Sequence, residues 1–191
     1  MRISTWLNNY INEQKKTIDS IPLHIVAEII EQFIDANINK KQIFVFGNGG
    51  SASNSSHFIA DLAKSASEAS KNKFKCISIN ECTSLITAIA NDYDYEDIFV
   101  KQLENFANPN DIVLTMSVSG TSPNLVKAVE WANKKELYTI ALVGGKQGIL
   151  TRMADKVIVV NSSHYGVVED MHMMICHMIA YAFIENTELT Q

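Results

Sequence analysis

The residues with the clearest chemical potential are small and polar, and they gather in two short segments, 47–53 and 117–124. The first reads Gly-Asn-Gly-Gly-Ser-Ala-Ser and the second Ser-Val-Ser-Gly-Thr-Ser-Pro-Asn. Each follows an apolar run and leads into a helical pattern, so free N–H groups and the positive end of a helix dipole would face an anion there. Serine hydroxyls add hydrogen-bonding groups without Lys or Arg. Together the segments predict a site for a sugar phosphate or a similar ester.

Simpler explanations exist for both segments. A tight turn between a strand and a helix needs glycine whether or not a ligand binds. Ser122 before Pro123 is a typical N-cap and first-turn pair, so helix capping alone would explain it. The first segment is neither a P-loop nor a dinucleotide fingerprint, because it lacks the Gly-Lys-Ser/Thr end of one and the third glycine of the other.

Histidines and carboxylates form a second group of candidates. His57 and Asp61 are four residues apart in the helix that follows the first segment, so they share a face and can converge on one ligand or metal. A lone histidine is more often a hydrogen-bonded core residue than a ligand. Convergence with other polar groups favours a functional site.

The last predicted helix, roughly 167–185, carries more such groups in an apolar, Met-rich sequence. Polar side chains in such a helix are costly unless paired, which raises the chance of a function. At about 100° per residue, Asp170 nearly eclipses His177, Glu169 lies about 80° from it, and His172 about 140° away. We therefore predict that Glu169 and His177 join the pair on the earlier helix, and that His172 is structural.

Composition and charge limit the classes of function. The chain has 191 residues, with 16 Lys+Arg against 21 Asp+Glu, a formal charge of -5, and no Lys/Arg run longer than two. This is typical of one globular domain and argues against nucleic acid, which needs a basic surface. A small anion stays possible, because local dipoles can hold one phosphate in a protein that is negative overall.

Cysteine usage and hydropathy indicate the compartment. The three cysteines have no CxxC or metal-finger spacing, and an odd number favours reduced thiols in the cytoplasm. The polar residues after the first turns leave no signal-peptide core. No apolar stretch approaches the ~20 residues of a membrane span. We therefore expect a cytoplasmic protein without a membrane partner.

Five short apolar runs alternate with helical patterns after residue 41. Their apolarity is continuous, which is typical of strands buried on both faces of a parallel sheet. The runs are 43–46, 74–79, 112–116, 139–143 and 157–160. They predict an α/β fold with a doubly wound, five-stranded parallel sheet and ligands at the carboxyl ends of the strands. We expect one domain, 1–191, with this α/β sandwich in 41–191.

Residues 1–40 form a helical extension ahead of the first strand. Apolar side chains recur there at helical spacing, namely Ile3, Trp6, Leu7, Tyr10 and Ile11, and then Ile25, Val26, Ile29, Ile30, Phe33 and Ile34. Such stripes must be buried, either on the same domain or on a partner subunit. We favour a subunit interface.

Five segments in order resemble the phosphoheptose (sedoheptulose 7-phosphate) isomerases of the sugar-isomerase (SIS) domain superfamily. They are residues 47–52, 57–62, 87–92, 117–124 and 169–177. The similarity covers nearly the whole chain, and the ordered set is more specific than any one segment. The resemblance implies a flavodoxin-like fold and a homotetramer with active sites between subunits.

The resemblance also implies an activity, the isomerisation of sedoheptulose 7-phosphate to D-glycero-D-manno-heptose 7-phosphate for bacterial lipopolysaccharide or capsule. It assigns phosphate binding to Ser51, Ser117, Ser119 and Ser122. Further substrate contacts fall on Asn48, Gly49, Gly50, Asp61, Asn91, Asp92, Val118 and Glu169. The family's zinc site falls on His57, Asp61, Glu169 and His177. Its acid/base pair falls on Asp61 and His177.

Three positions depart from the family pattern. Asp61 stands where the family usually has Glu, and a shift of about 1 Å in a carboxylate can cost about a hundredfold in rate. Glu169 replaces the usual Gln, which would strengthen a divalent cation site or raise the pKa of a neighbouring carboxyl in a metal-free one. Val118 replaces a frequent Thr and removes one hydroxyl.

Two other hypotheses compete with the isomerase. One is a non-catalytic relative with the same fold that binds a replication initiator protein. That branch lacks the acidic residue and the final histidine, which are present here as Asp61 and His177. The other is a sugar-phosphate-sensing regulator, which usually carries a DNA-binding module for which this length leaves no room.

Overall fold

A computed structural model describes residues 2–190 of the chain. The first and last residues of the predicted domain lie outside the described residues. Two helices come first, α1 (Ile3–Ile18) and α2 (Leu23–Ile38), as the apolar stripes predict. The strands are β1 (Gln42–Gly47), β2 (Lys75–Ser78), β3 (Ile112–Ser117), β4 (Tyr138–Gly144) and β5 (Lys156–Val160).

Six further helices connect or follow the strands. They are α3 (Gly50–Ala60), α4 (Ser67–Ala69), α5 (Thr83–Asp92), α6 (Val100–Phe106), α7 (Pro123–Lys134) and α8 (Tyr165–Glu185). A π-helical segment, Asp61–Ala66, joins α3 to α4. Short 3-10 turns lie at Tyr95–Asp97, Ile149–Arg152 and Thr187–Thr190.

The five strands form one parallel sheet in the order β2-β1-β3-β4-β5. The predicted doubly wound α/β fold is therefore confirmed. Each of the five predicted apolar runs contains a strand. The central strands β1, β3 and β4 are buried at nearly every position, as expected for strands covered on both faces, whereas the edge strand β2 is largely exposed. The order of the strands reverses between β1 and β3, and such folds bind ligands at this point of the sheet.

Side chains alternate between two cores, one on each face of the sheet. Ile43 and Val45 of β1 point into a core shared with α2, α3 and α8. Phe44 and Phe46 of the same strand point into the opposite core, shared with α5, α6 and α7. This alternation follows from the two-residue period of a strand. Helices α3 and α8 both pack on the first of these cores, so they lie side by side on one face of the sheet.

Helix α1 packs with its polar side inward. The residues of α1 that are not exposed are Tyr10, Glu13, Gln14 and Thr17, spaced as one helical stripe. The apolar stripe points outward, with Ile3 78% exposed and Leu7 and Ile11 each 50% exposed. In contrast, α2 buries Val26, Ile29 and Phe33 in the core of its own chain.

Helix α8 is the longest element, and it runs through the core. By length and composition it could cross a membrane, with a mean hydropathy of 1.3 over its most apolar window. Half of that window is buried inside the protein, against the sheet and the neighbouring helices. A buried core helix can have the same composition as a membrane span, so the composition of α8 does not distinguish between the two.

Candidate functional site

A pocket forms where the predicted segments after β1 and β3 meet. These strands are neighbours, with Gly47 paired to Met116, so the loops at their carboxyl ends lie side by side. The pocket has a volume of about 80 Å³, room for about three waters, which suits a phosphate group. We call it the serine pocket. It is lined by Asn48, Ser51, Met116, Ser117, Val118, Ser119, Ser122, Leu125, Tyr165 and Glu169.

The serine hydroxyls differ in their present hydrogen bonds. Ser117 Oγ accepts from the Gly120 N–H at 3.0 Å, and Ser119 Oγ accepts from the Thr121 N–H at 3.3 Å, so both shape the loop. Ser122 is the N-cap of α7 by position, yet its side chain makes no capping hydrogen bond. Capping by the hydroxyl therefore does not explain Ser122, and this hydroxyl is available to a ligand.

Amide side chains tie the two loops together. Asn48 and Asn124 form a reciprocal pair, with both amide-to-oxygen distances at 2.9 Å. The Tyr95 hydroxyl also donates to Asn48 Oδ1 at 3.2 Å. Sequence reasoning assigned roles to neither Asn124 nor Tyr95, although an amide directly after the Ser-Pro pair was a visible signal. Tyr165, which lines the serine pocket, stands in no motif that would have identified it.

A second cluster brings together His57 of α3, Asp61 just after α3 and His177 of α8. His57 Nε2 is 3.7 Å and His177 Nε2 is 3.6 Å from Asp61 Oδ2, and the two imidazole rings meet edge to face with centroids 5.1 Å apart. Asp61 is the first residue of the π-helical segment, where the helix widens; such segments are frequent at functional sites. We call this group the His–Asp–His cluster. Its convergence matches the sequence prediction for these three residues.

The His–Asp–His cluster fits a divalent transition metal. One potential ligand atom from each residue lies within 4.8 Å of the others. Asp61 Oδ2 is buried without a hydrogen-bond partner among the described residues, a costly state that an ion would relieve. Two atoms bound to a tetrahedral zinc lie about 3.4 Å apart, close to the observed spacing. Three protein ligands with one open position are typical of a catalytic zinc.

Glu169, the fourth predicted metal ligand, lies in the neighbouring serine pocket. Its carboxylate lies against Gly50, at the start of α3. Among the described residues, the ligand atoms that lie within 4.8 Å of one another belong to His57, Asp61 and His177. The role of Glu169 as a metal ligand therefore stays a prediction.

Two predicted substrate contacts lie apart from the serine pocket. Asn91 and Asp92 are exposed at the end of α5, where Asn91 Nδ2 donates to Asp92 Oδ1 at 2.8 Å. Neither lines the pocket. Gly49, predicted to contact substrate, is the N-cap of α3 with φ +57°, a left-handed conformation that favours glycine.

His172 is buried in the core, as predicted for a structural histidine. It is fully buried, and neither ring nitrogen has a hydrogen-bond partner of normal geometry among the described residues. Burial lowers the pKa of His172 to about 4, and the Val143 backbone opposes this shift. The imidazole is therefore neutral at physiological pH.

Comparisons with known proteins agree with this geometry. Residues 6–144 match the model of the SIS domain family. The probable phosphoheptose isomerase of Thermoplasma volcanium is 35% identical over 173 residues, 91% of this chain and 88% of that protein. The phosphoheptose isomerase of Helicobacter pylori is 33% identical over 165 residues, 86% of this chain and 85% of that one.

A solved structure extends the likeness to three dimensions. The structure of a phosphoheptose isomerase from Francisella tularensis matches with a TM-score of 0.87 and 27% identity, covering 96% of both chains. The match includes both the N-terminal helices and the sheet. The chain therefore belongs to the SIS domain family and, within it, to the phosphoheptose isomerases.

Proposed function

We propose that the chain isomerises sedoheptulose 7-phosphate to D-glycero-D-manno-heptose 7-phosphate. The observation that carries the proposal is the placement of the serine pocket and the His–Asp–His cluster along one helix pair. Gly50 and His57 are about 10 Å apart along α3. That span suits a ligand with a phosphate at one end and a carbonyl at the other. The relatives named phosphoheptose isomerase support the same reaction.

The serine pocket would hold the phosphate. Hydroxyls of Ser51, Ser117, Ser119 and Ser122 can donate to phosphate oxygens, and the start of α3 adds its dipole. No lysine or arginine lines the pocket. Asn48, Gly49 and Gly50 border the same end and would contact the neighbouring carbons, and we propose that Asn91 and Asp92 contribute from their exposed position.

Asp61 and His177 would move the protons. A base removes a proton from C1 of the ketose, giving an enediol, and the proton returns to C2 to leave an aldehyde at C1. We assign this transfer to Asp61, whose carboxylate is partly buried between two imidazoles. His177, 3.6 Å from Asp61, would transfer the hydroxyl proton between O1 and O2.

We propose that His57, Asp61 and His177, together with Glu169, hold one zinc ion per subunit. Zinc, when bound, polarises the substrate's carbonyl oxygen and stabilises its developing negative charge. His57 would then serve only as a ligand, while Asp61 and His177 would serve both as ligands and as the acid/base pair. The buried, unpartnered Asp61 oxygen supports this assignment.

Turnover of sedoheptulose 7-phosphate, followed by NMR with added zinc and after chelation, tests the proposal. We expect conversion to the aldose and loss of activity on chelation, with recovery on adding zinc. Tight binding of the sugar phosphate without turnover under either condition would point instead to a binding role, such as the initiator-binding alternative. Asp61→Glu compares the shorter carboxylate with the family's usual one: a higher rate would identify its length as limiting.

We also propose a homotetramer in the cytoplasm, assembled through α1. The outward apolar stripe of α1 has no cover in the single chain, and exposed patches of this kind mark interfaces. Leu7→Ser with Ile11→Ser should reduce the mass measured by light scattering. Asn8→Ser, an exposed polar position on the same helix, is the matched control and should leave the mass unchanged.

A further inference from the structure

Two other side chains hold the amide of Asn48, which lines the serine pocket. Asn48 Oδ1 accepts from Asn124 Nδ2 at 2.9 Å and from the Tyr95 hydroxyl at 3.2 Å, so both lone pairs of this oxygen are used. Asn48 Nδ2 donates one hydrogen to Asn124 Oδ1 at 2.9 Å. Its second hydrogen has no acceptor among the described residues. Asn48 therefore has a donor, and no acceptor, left for a ligand in the pocket.

The backbone at the start of α7 fixes the direction of this network. The Leu125 N–H, which is shared with the Ser122 carbonyl, donates to Asn124 Oδ1 at 3.0 Å. An N–H needs an acceptor, so turning the Asn124 amide over would place its NH₂ group against this donor. Because the two amides are paired head to tail, the orientation of Asn124 determines that of Asn48. Asn124 is itself buried and does not line the pocket, so it acts on a ligand through Asn48.

Tyr95 reaches Asn48 from a short 3-10 turn, Tyr95–Asp97, that is anchored to α7. Asp97 in this turn forms an ion pair with Lys127 at 2.8 Å, about one helical turn beyond Asn124. Tyr95 is 57% exposed, so burial of its ring does not account for its place. Without the Tyr95 donor, one lone pair of Asn48 Oδ1 would be free. The amide could then rotate and present an oxygen to a phosphate oxygen, which has no hydrogen to share with it.

We propose that Asn124 and Tyr95 are positioning residues for the substrate that act through Asn48. They orient its amide so that an N–H group, rather than the carbonyl oxygen, faces a ligand in the serine pocket. This orientation selects ligands that present acceptor oxygens, such as the phosphate end of a sugar phosphate. The inference rests on the proposed binding of the sugar phosphate in this pocket. It adds two residues outside the pocket lining to those that determine substrate affinity.

A double-mutant cycle tests the inference. Titration calorimetry measures binding of sedoheptulose 7-phosphate to the zinc-free full chain. Tyr95→Phe removes one donor to Asn48, and Asn124→Ala removes both hydrogen bonds of the amide pair. We expect the dissociation constant to rise about two- to tenfold in Tyr95→Phe and at least about tenfold in Asn124→Ala. In an Asn48→Ala background, neither substitution should weaken binding further, because the group on which they act is gone.

Tyr93→Phe is the matched control for the loss of a hydroxyl. Tyr93 is also an exposed tyrosine, and its ring lies against the Lys101 ammonium rather than Asn48. This variant should bind as wild type does. Steady-state kinetics of the zinc-loaded protein gives a second readout, in which Tyr95→Phe should raise KM and leave kcat unchanged.

Additive effects in the Asn48→Ala background, or unchanged binding in both single variants, would overturn the inference. Circular dichroism first verifies that each variant is folded, and Tyr95→Phe decides the test if the buried Asn124→Ala variant is not. Binding without turnover, with non-additive effects, would refute the proposed reaction and leave the inference intact. Normal turnover with additive effects would do the reverse. No binding of the sugar phosphate by wild type would overturn both.

Discussion

The two ends of the α3–α8 helix pair use opposite chemistry. At the start of α3, the serine pocket offers serine hydroxyls and one carboxylate in a cavity of about 80 Å³. Further along, the His–Asp–His cluster concentrates titratable side chains around a buried oxygen that has no partner. In the proposed function, the serine pocket holds the phosphate, and the His–Asp–His cluster binds the metal and moves the protons. Substrate binding and proton transfer would then lie at different ends of the helix pair.

Asp61→Ala should have the largest effect, because it removes the shared centre of the His–Asp–His cluster. We expect a loss in kcat of about 10²- to 10⁴-fold, typical of removing a general base, together with loss of zinc binding. NMR assays and metal analysis of the purified protein measure both. Asp35→Ala is the control, because this carboxylate is half-buried on α2, where it pairs with Lys41, and is not part of the cluster. If Asp61→Ala kept both its zinc and its rate, the His–Asp–His cluster would not be the site of metal binding and proton transfer.

Ser122→Ala should affect the serine pocket, and therefore substrate binding rather than the rate of the chemical step. Its hydroxyl makes no capping bond, so the helix should keep its stability while the phosphate loses one hydrogen bond. A bond to a charged group is worth about 1.5–3 kcal/mol, or roughly ten- to a hundredfold in KM with little change in kcat. Steady-state kinetics and thermal unfolding measure these quantities. A fall in kcat with unchanged KM would contradict the separation.

His172 lies on α8 between the two ends and should affect stability rather than activity. Its pKa is about 4 in the folded chain against 6.5 for the ordinary side chain, so between these values the unfolded state binds the extra proton. Its contribution is present above pH 6.5 and is lost as pH falls, by up to about 1.4 kcal/mol per pH unit.

Urea unfolding between pH 4 and pH 7 measures this effect. His172→Gln should flatten the pH dependence of the free energy of unfolding, since the titrating group is gone. His24→Gln, at an exposed position on α2, should keep the wild-type dependence. Equal slopes in wild type and His172→Gln would mean that His172 titrates alike in the folded and unfolded states.

The local patterns predicted the fold well. Continuous apolar runs identified all five strands, and for the central strands β1, β3 and β4 the signal reflects burial on both faces of the sheet. The i, i+4 spacing of His57 and Asp61 also predicted their convergence, since one helical turn brings them together. Family resemblance supplied the isomerase assignment and the phosphate serines.

Other features depended on distances that no local pattern contains. The angular position of Glu169 on α8 could not show that its carboxylate lies beside Gly50, which depends on how α8 packs against α3. The apolar stripe of α1 was visible, yet its outward orientation follows from the polar contacts of Tyr10 and Gln14 with Asp170. The π-helical widening at Asp61 had no sequence signal.

The sequence by itself determined the order of the elements, the family and the residue types available for chemistry, because hydrophobic periodicity and motifs act over short stretches of chain. Tertiary structure decided which of those residues meet. The packing of α8 beside α3 divides the polar groups between two ends, putting Glu169 with the serines and His177 with His57 and Asp61. That division follows from the rise of a helix and from contacts between residues more than 100 positions apart.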